Sequence, residues 1–155
     1  MTAASHRVRQ RPSRSSTRPA GGDPIVQQTL PKSSILRGYQ SFSRVISQGF
    51  VLQGAVLTAY VEVVRTETAG GAVIGFAVAK KRVPLAVRRN RIRRLMREAV
   101  RKGFRAVQDS AEAKSEQVSV VLSYKGRPGM DPRRMTLSVI EPDWTALRAR
   151  ILEKL

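Results

Sequence analysis

The feature that most constrains the fold is the arginine-rich stretch Ala86 to Val107, in which apolar and basic residues separate at helical spacing. At about 100° of rotation per residue, one side of a helix carries Ile92, Leu95, Met96 and Ala99. The opposite side carries Asn90, Arg94, Arg97 and Arg101. Pro84 fixes the start of this helix through its locked φ, and Gly103 weakens its end. We therefore predict one long helix that packs on a core and presents guanidinium groups outward.

The basic side of this helix is unfavourable without a partner. Like charges three or four positions apart destabilise a helix by about 0.2–0.5 kcal/mol per pair, and Glu98 is the only acidic residue nearby in the sequence. Phosphate groups would relieve this repulsion, because a planar guanidinium donates paired hydrogen bonds to phosphate oxygens. The alternative is a charged face that is merely solvated.

The net charge extends this argument to the whole chain. The 29 Lys and Arg residues outnumber the 11 Asp and Glu residues, which gives a formal charge of +18 at pH 7. Such a charge attracts polyanions over long range, so nucleic acid is the leading partner. There is no apolar run of about 18 residues, and the N-terminus lacks the apolar core of a signal peptide. We expect a cytoplasmic protein that does not contact a membrane.

Few residues in this sequence could bind a metal ion or act in catalysis. The chain has no cysteine and a single histidine, His6, so disulfides, zinc sites and histidine-based catalysis are not expected. Any divalent metal would need oxygen ligands. The acidic residues are scattered and form no pair suited to a two-metal site. The sequence therefore predicts no catalytic residues and identifies no metal ligand.

The chain divides into two parts of different composition. Residues 1 to 31 combine five arginines with Ser, Thr, Pro and Gly and offer little to bury, which predicts a disordered basic arm. This arm is either a solubilising tail or a phosphate-binding segment. Residues 32 to 155 are of a length typical of one domain.

The first half of the domain predicts one helix and two strands. Ser34 to Gln48 forms the helix, whose apolar face at helical spacing consists of Ile35, Tyr39, Phe42 and Ile46. Val56 to Arg65 and Ala72 to Ala79 are typical of strands, and the polar turn between them indicates an antiparallel hairpin. Phe50 to Gln53 is either a further short strand or a loop.

The second half predicts a strand at Glu116 to Tyr124, a turn cluster at Gly126 to Pro132 and a last helix at Pro142 to Leu155, with proline in its first turn. Met135 to Ile140 is either a strand or an extension of that helix. The resulting order, α-β-β-β-α-β-α, predicts a single α+β domain with a small mixed or antiparallel sheet packed with helices.

Two adjacent segments carry a resemblance to a known family. Gly75 to Lys81, followed by Ala86 to Ala99, resembles the strand and the arginine-rich RNR-motif helix of the bacterial ribonuclease P protein component. The resemblance is tight over about 25 residues, and the element order extends it loosely over residues 34 to 155. It departs from the family at Ala79, where serine is usual. The basic arm lies outside it.

The resemblance implies a function. In this family the protein is a subunit of a ribonucleoprotein that removes the 5′ leader from precursor tRNA in a magnesium-dependent hydrolysis. The RNA subunit carries the chemistry and holds most of the Mg²⁺, so the protein alone is expected to be inactive. The implied partners are ribonuclease P RNA and precursor tRNA, and no stable protein partner is indicated. The family also implies an uncommon left-handed βαβ crossover, which general chirality rules would not predict.

The resemblance also implies two sets of binding residues. The surface that faces the catalytic RNA would consist of Lys80, Lys81, Arg89, Asn90, Arg91, Arg93, Arg94, Arg97 and Arg101. Arg91 projects to the side of the helix. A cleft between helix 1 and the sheet would hold the single-stranded leader, with Phe42 and Tyr60 at the family's aromatic positions. Ile46 stands where a second helix-1 aromatic is frequent. The alternative for Phe42, Ile46 and Tyr60 is an ordinary core position.

Three other functions fit parts of the sequence. A ribosomal or general RNA-chaperone protein would share the charge and the arginine face but would have no role in cleavage. A DNA-binding protein would place the long helix in a major groove, but a strand and Pro84 precede it instead of a partner helix. A metal-dependent nuclease is disfavoured by the scattered carboxylates.

Overall fold

The computed structural model describes residues 29–155, and the predicted basic arm lies outside these residues except for its last three positions. The helices are α1 (Tyr39–Gln48), α2 (Ala86–Arg101), α3 (Phe104–Ala113) and α4 (Leu137–Lys154). The strands are β1 (Phe50–Gln53), β2 (Leu57–Arg65), β3 (Gly71–Val78) and β4 (Glu116–Tyr124). Short 3-10 turns lie at Lys32–Ser34 and Pro132–Arg134. No helix among residues 29–155 is long and apolar enough to cross a membrane.

The four strands form one mixed sheet in the order β1-β2-β4-β3. The predicted β2–β3 hairpin is therefore wrong, because β4 lies between these strands, antiparallel to β2 and parallel to β3. The residues Val118 to Leu122 are all buried, as in a central strand that is covered on both faces. The parallel β3–β4 pair is joined through α2 and α3, which is a βαβ connection, and its left-handed course stays a prediction.

The predicted long helix is two helices. α2 ends at Arg101, and Gly103 has a φ of 128°, a conformation that side chains other than glycine rarely adopt. A Cβ at Gly103 would also overlap the guanidinium of Arg148, which donates to the Lys102 carbonyl at 3.2 Å. The turn at Gly103 lets α3 bury Phe104 and Val107 in the same core.

The ends of the other helices also differ from the sequence prediction. α1 begins at Tyr39 rather than Ser34, because Ile35 bridges to Ile74 and the Leu36 N–H donates to the Ile74 carbonyl at 2.9 Å. This extended pairing prevents a helix over the same residues. α4 begins at Leu137, so Pro142 lies inside the helix and not in its first turn. Residues 137–140, in the segment for which strand and helix were both considered, are therefore helical. Phe50–Gln53, considered as strand or loop, is a strand.

One face of the sheet carries the main core. Alternate residues of β2, β3 and β4 point to this face, where α2, α3 and α4 cover them, and Trp144 of α4 is fully buried there. α2 contributes the apolar side that was predicted, with Ile92, Met96 and Ala99 buried and Leu95 packed at the margin. The opposite face is covered by α1, whose one buried residue is Val45.

Asp143 fastens α4 to the sheet. Its carboxylate accepts hydrogen bonds from the backbone N–H groups of Ala55, Val56 and Leu57 at 2.7 to 2.9 Å. Three charge-assisted bonds of this kind satisfy a buried anion. They also fix the turn between β1 and β2, and so the position of β2 under α1.

Candidate functional site

The outer side of α2 presents three arginines in a row along the helix. Arg94 and Arg97 are exposed, and Arg93 is half-buried with its Nη1 donating to Asn90 Oδ1 at 3.1 Å. The Arg97 guanidinium lies 5.9 Å from the centre of the Phe76 ring, within cation–π range. This contact orients Arg97 over an aromatic floor and leaves its hydrogen-bond donors available to a ligand.

Three other predicted residues bond to the protein itself. Arg89 Nη1 donates to the carbonyls of Val83 and Pro84 at 3.0 and 2.7 Å, which ties the start of α2 to its own loop. Arg91 Nη1 donates to the Arg133 carbonyl at 3.2 Å, on the side of the helix away from the row. Arg101 forms an ion pair with Glu98. The structure therefore places Arg93, Arg94 and Arg97 together, with Arg93 bonded to Asn90. Arg89 and Arg91 bond backbone carbonyls, and Arg101 pairs with an acidic side chain.

A groove of about 920 Å³ runs beside this row. The segment before α1 forms its far wall, and Ile35, Leu36, Phe42 and Phe76 give it an apolar lining. Arg93, Arg94 and Arg97 form the opposite rim, and Arg101, paired with Glu98, continues it at the end of α2. Among the described residues that line the groove, Glu98 is the single acid. A hydrogen bond from Arg101 holds the pKa of Glu98 below its usual value, with burial opposing this shift. The groove thus combines flat apolar surface with cationic donors.

The sheet face that α1 covers, with Val45 as its one buried residue, is called the open face below. The predicted cleft residues lie on this face and on α1. The strand register aligns Val51, Tyr60, Val121 and Gly75 across the four strands. A Cβ at Gly75 would overlap the Phe42 ring, so glycine is what lets Phe42 lie directly on the sheet. Neighbouring strands are about 4.8 Å apart, which puts Tyr60 about 10 Å from Gly75 and its covering ring. The two aromatic residues therefore share one row of one surface.

The predicted cleft residues Phe42, Tyr60 and Ile46 are more exposed than core residues. Phe42 and Tyr60 are half-buried, and Ile46 is 44% exposed. A core position is therefore wrong for Ile46, and the buried residue of α1 is its neighbour Val45. The predicted apolar face of helix 1 is also wrong at Tyr39, which is 87% exposed. The orientation of α1 buries Val45 and leaves Ile46 exposed.

Two features of the site were missed by the sequence interpretation. Phe76 forms the floor under Arg97, a role that the sequence analysis did not assign to it. Arg44 of α1 pairs with the nearly buried Glu62 of β2 at 2.9 Å, which clamps α1 onto the open face. Nothing in the spacing of these residues along the chain indicated either contact, because each joins elements distant in sequence.

Lys80 and Lys81 lie apart from the arginine row. Both are exposed in the turn that follows β3, at the end of the sheet. No group of three or more His, Cys, Asp or Glu side chains within residues 29–155 is arranged to hold a metal ion.

The fold and the groove define a class: a small basic α+β protein whose exposed cations converge beside aromatic surface, a combination suited to nucleic acid. Comparison with known proteins makes this specific. The family model for ribonuclease P matches residues 30–139. The chain belongs to the ribonuclease P protein family, the protein component of a ribonucleoprotein endoribonuclease of tRNA processing.

Curated relatives agree with this assignment, and a solved structure shares the fold. The chain is 38% identical over 110 residues to the ribonuclease P protein component of Chlorobaculum tepidum, covering 66% of this chain and 71% of the relative. It is 42% identical over 80 residues to that of Nitrosomonas eutropha, covering 52% and 65%. The Thermotoga maritima RNase P protein superposes with a TM-score of 0.56 at 18% identity, covering 73% of this chain and 93% of that one. At this identity the structural likeness shows the fold, which is the predicted α+β class.

Proposed function

We propose that this chain binds a ribonuclease P RNA along α2 and holds the 5′ leader of precursor tRNA on the open face of its sheet, so assisting removal of the leader. The observation that carries the proposal is the groove, in which Arg93, Arg94 and Arg97 face apolar surface that includes Phe42 and Phe76. Family membership supplies the identity of the RNA.

The arginine row suits a phosphate backbone. Each guanidinium donates in a fixed plane and binds phosphate oxygens in pairs, and release of counterions from the RNA adds to the affinity. Arg94 has no hydrogen-bond or ion-pair partner among the described residues, and Arg97 makes only its contact with Phe76. These two side chains therefore reach phosphates without breaking bonds within the protein. Arg89 and Arg91 would have to give up carbonyl partners first.

The open face suits an unpaired strand. Phe42 and Tyr60 lie on one row of the sheet with part of each ring exposed, and base stacking on such rings contributes about 1–3 kcal/mol per base. Ile46 adds exposed aliphatic surface in place of a ring. We infer that this chain stacks on the leader at two positions and makes a weaker apolar contact at the third.

The protein supplies binding and not bond cleavage in this proposal. The described residues contain no three-ligand cluster for a metal ion, so no step is assigned to a protein-held Mg²⁺. The metal required by the reaction would be held mainly by the RNA. The roles left to this chain are to neutralise phosphates, to hold the leader and to favour the complex when Mg²⁺ is scarce.

The test is cleavage of precursor tRNA at low magnesium by bacterial ribonuclease P RNA, with and without this protein, beside a protein-only control. Stimulation that requires the RNA is the expected result. If the protein binds ribonuclease P RNA and precursor tRNA but does not stimulate cleavage by any of several bacterial ribonuclease P RNAs, a general RNA-binding function is favoured instead. Cleavage by the protein alone would overturn both.

A further inference from the structure

The sheet topology brings two basic loops together. β3 and β4 are parallel and end side by side, with Val78 paired with Tyr124. The loops that follow therefore leave the same edge of the sheet. The first loop contains Lys80, Lys81 and Arg82, and the second contains Lys125 and Arg127.

A pocket of about 500 Å³ lies between these loops. Its cationic lining residues are Lys81, Arg82, Lys125 and Arg127. None of the described residues that line it is acidic, whereas Met130 and Pro132 add apolar surface. The pocket shares no lining residue with the arginine groove. It is therefore a separate concentration of positive charge at the end of the sheet.

Internal hydrogen bonds hold the loops in place. Arg82 Nη1 donates to the Lys125 carbonyl at 2.8 Å, which links the two loops. The Lys125 and Gly126 N–H groups both donate to the Val56 carbonyl, at 2.9 and 3.1 Å. Lys125 Nζ donates to Gln53 Oε1 at 3.1 Å, which places the ammonium group above the end of β1. These bonds preorganise the side chains of Arg82 and Lys125, so less entropy is lost when they bind a ligand.

Tyr124 adds a polar group to the pocket wall. Its side chain is almost entirely buried, and burial raises the pKa of its hydroxyl, with Arg82 opposing and Asp131 adding to the shift. The hydroxyl therefore stays protonated at neutral pH and remains a hydrogen-bond donor. A donor hydroxyl beside several cations is a combination that suits an anion with several oxygen atoms.

We propose that the pocket between the β3–α2 and β4–α4 loops binds a backbone phosphate of RNA, as a second anion site distinct from the arginine groove. The inference rests on the proposed function for the identity of the polyanion. Converging cations without a lining carboxylate repel one another, and a phosphate relieves this repulsion. Two sites at separate edges of the fold also fix the direction of an RNA on the protein, which one row of arginines cannot do.

The experiment compares two double variants with the wild type. Lys125→Gln/Arg127→Gln removes two cations from the pocket, and glutamine at 125 keeps a polar side chain near Gln53. Arg65→Gln/Lys114→Gln is the matched control, because it removes two exposed cations where β4 begins, at a pocket of about 440 Å³ that already contains Glu116. The nine residues of β4 separate these ends by about 26 Å.

The measurement is the salt dependence of affinity for ribonuclease P RNA alone, and of precursor and leaderless tRNA for the reconstituted complex. A lost phosphate contact lowers the slope of log K against log salt by about 0.7–0.9, and we expect this loss, with an affinity about tenfold lower, only for the pocket variant. Loss with the RNA subunit alone would assign the phosphate to that RNA, and loss only with leader-bearing precursor would assign it to the leader.

Two outcomes would overturn the inference. If the pocket variant keeps the wild-type slope and affinity for every RNA while the wild type stimulates cleavage, the second site is wrong and the proposed function stands. If both double variants lose affinity equally, the effect is one of net charge and the pocket has no special role. Absence of stimulation by the wild type would instead count against the proposed function.

Discussion

The two faces of the sheet differ in how they are covered. On the closed face, helices α2, α3 and α4 bury side chains such as Leu122 and Trp144 completely. On the open face, α1 contributes one buried residue, Val45, and leaves Phe42 and Tyr60 partly exposed. The closed face holds most of the buried apolar side chains, so the open face can keep aromatic surface accessible without loss of the core. We therefore expect substitutions on the closed face to lower stability, and substitutions on the open face to lower RNA binding.

The largest effect is expected from a cavity in the closed face. Leu122→Ala removes a fully buried side chain from the central strand and should lower the free energy of unfolding by about 2–5 kcal/mol. Urea unfolding followed by the fluorescence of Trp144, the only tryptophan, measures this change. Ser123→Ala is the matched control, because the next residue of β4 points to the open face. It should change stability by less than about 0.5 kcal/mol. Equal losses in the two variants would show that the closed face is not the main source of stability.

The second largest effect is expected on RNA binding by α2, which buries one side and exposes the other. Replacing Arg93, Arg94 and Arg97 together by alanine should weaken binding to ribonuclease P RNA about 100-fold and lower the salt slope by about 2–3, because three phosphate contacts are lost. Stability should change little, since alanine favours helix and the buried side is untouched. The variant is measured by RNA binding at several salt concentrations. An unchanged slope would show that the row is only a solvated face.

Alanine at Arg89 serves as the comparison within the same helix. Its guanidinium bonds the Val83 and Pro84 carbonyls, so its removal should cost stability at the start of α2 more than it flattens the salt dependence. A slope loss equal to one third of that of the triple variant would place Arg89 on the RNA surface as well.

The sequence could predict what depends on local pattern. The two sides of α2 follow from its helical period, and three of the strands lie within one or two residues of their expected positions. Strand order could not be predicted in this way. The polar turn between β2 and β3 favoured a hairpin, whereas the insertion of β4 depends on which strand gains most from burial on both faces.

The candidate site was predictable to a similar extent. The resemblance implied Phe42 and Tyr60 as cleft residues. The strand register puts Tyr60 in one row with Gly75, and the Phe42 ring of α1 lies on Gly75. The resemblance could not separate Arg89 and Arg91 from Arg94 and Arg97. Arg91 bonds the carbonyl of Arg133, 42 residues away, and that contact depends on the fold. Arg89 bonds carbonyls of the loop just before α2, a contact that helical spacing alone does not indicate. For the same reason, the pocket at the ends of β3 and β4 requires the parallel pairing, which no local pattern indicated.

A smaller effect is expected on the open face. Tyr60→Ala removes one stacking platform and should lower the affinity of the reconstituted complex for leader-bearing precursor about tenfold, within the range of about 1–3 kcal/mol per stacked base. Affinity for leaderless tRNA should not change, and this difference is the measurement. Val64→Ala is the control, because Val64 is also exposed and lies four residues further along the same face of β2. Equal losses for both tRNAs would show that Tyr60 acts through stability and not through the leader.

The smallest effect is expected at Glu98, the one acid among the described residues that line the arginine groove. Glu98→Gln removes a negative charge beside the row, and affinity for ribonuclease P RNA should rise about threefold at low salt, since exposed charges in water interact by at most about 1 kcal/mol. The gain should vanish at high salt as the charges are screened. The hydrogen bond from Arg101 lowers the pKa of Glu98, so the carboxylate is ionised at neutral pH. As the pH falls through that lowered pKa, the wild type becomes neutral at this position and its affinity should approach that of the variant. If the ratio of variant to wild-type affinity does not change with pH, glutamine acts by freeing space or altering the helix. The charge of Glu98 then has no effect on RNA binding in the groove.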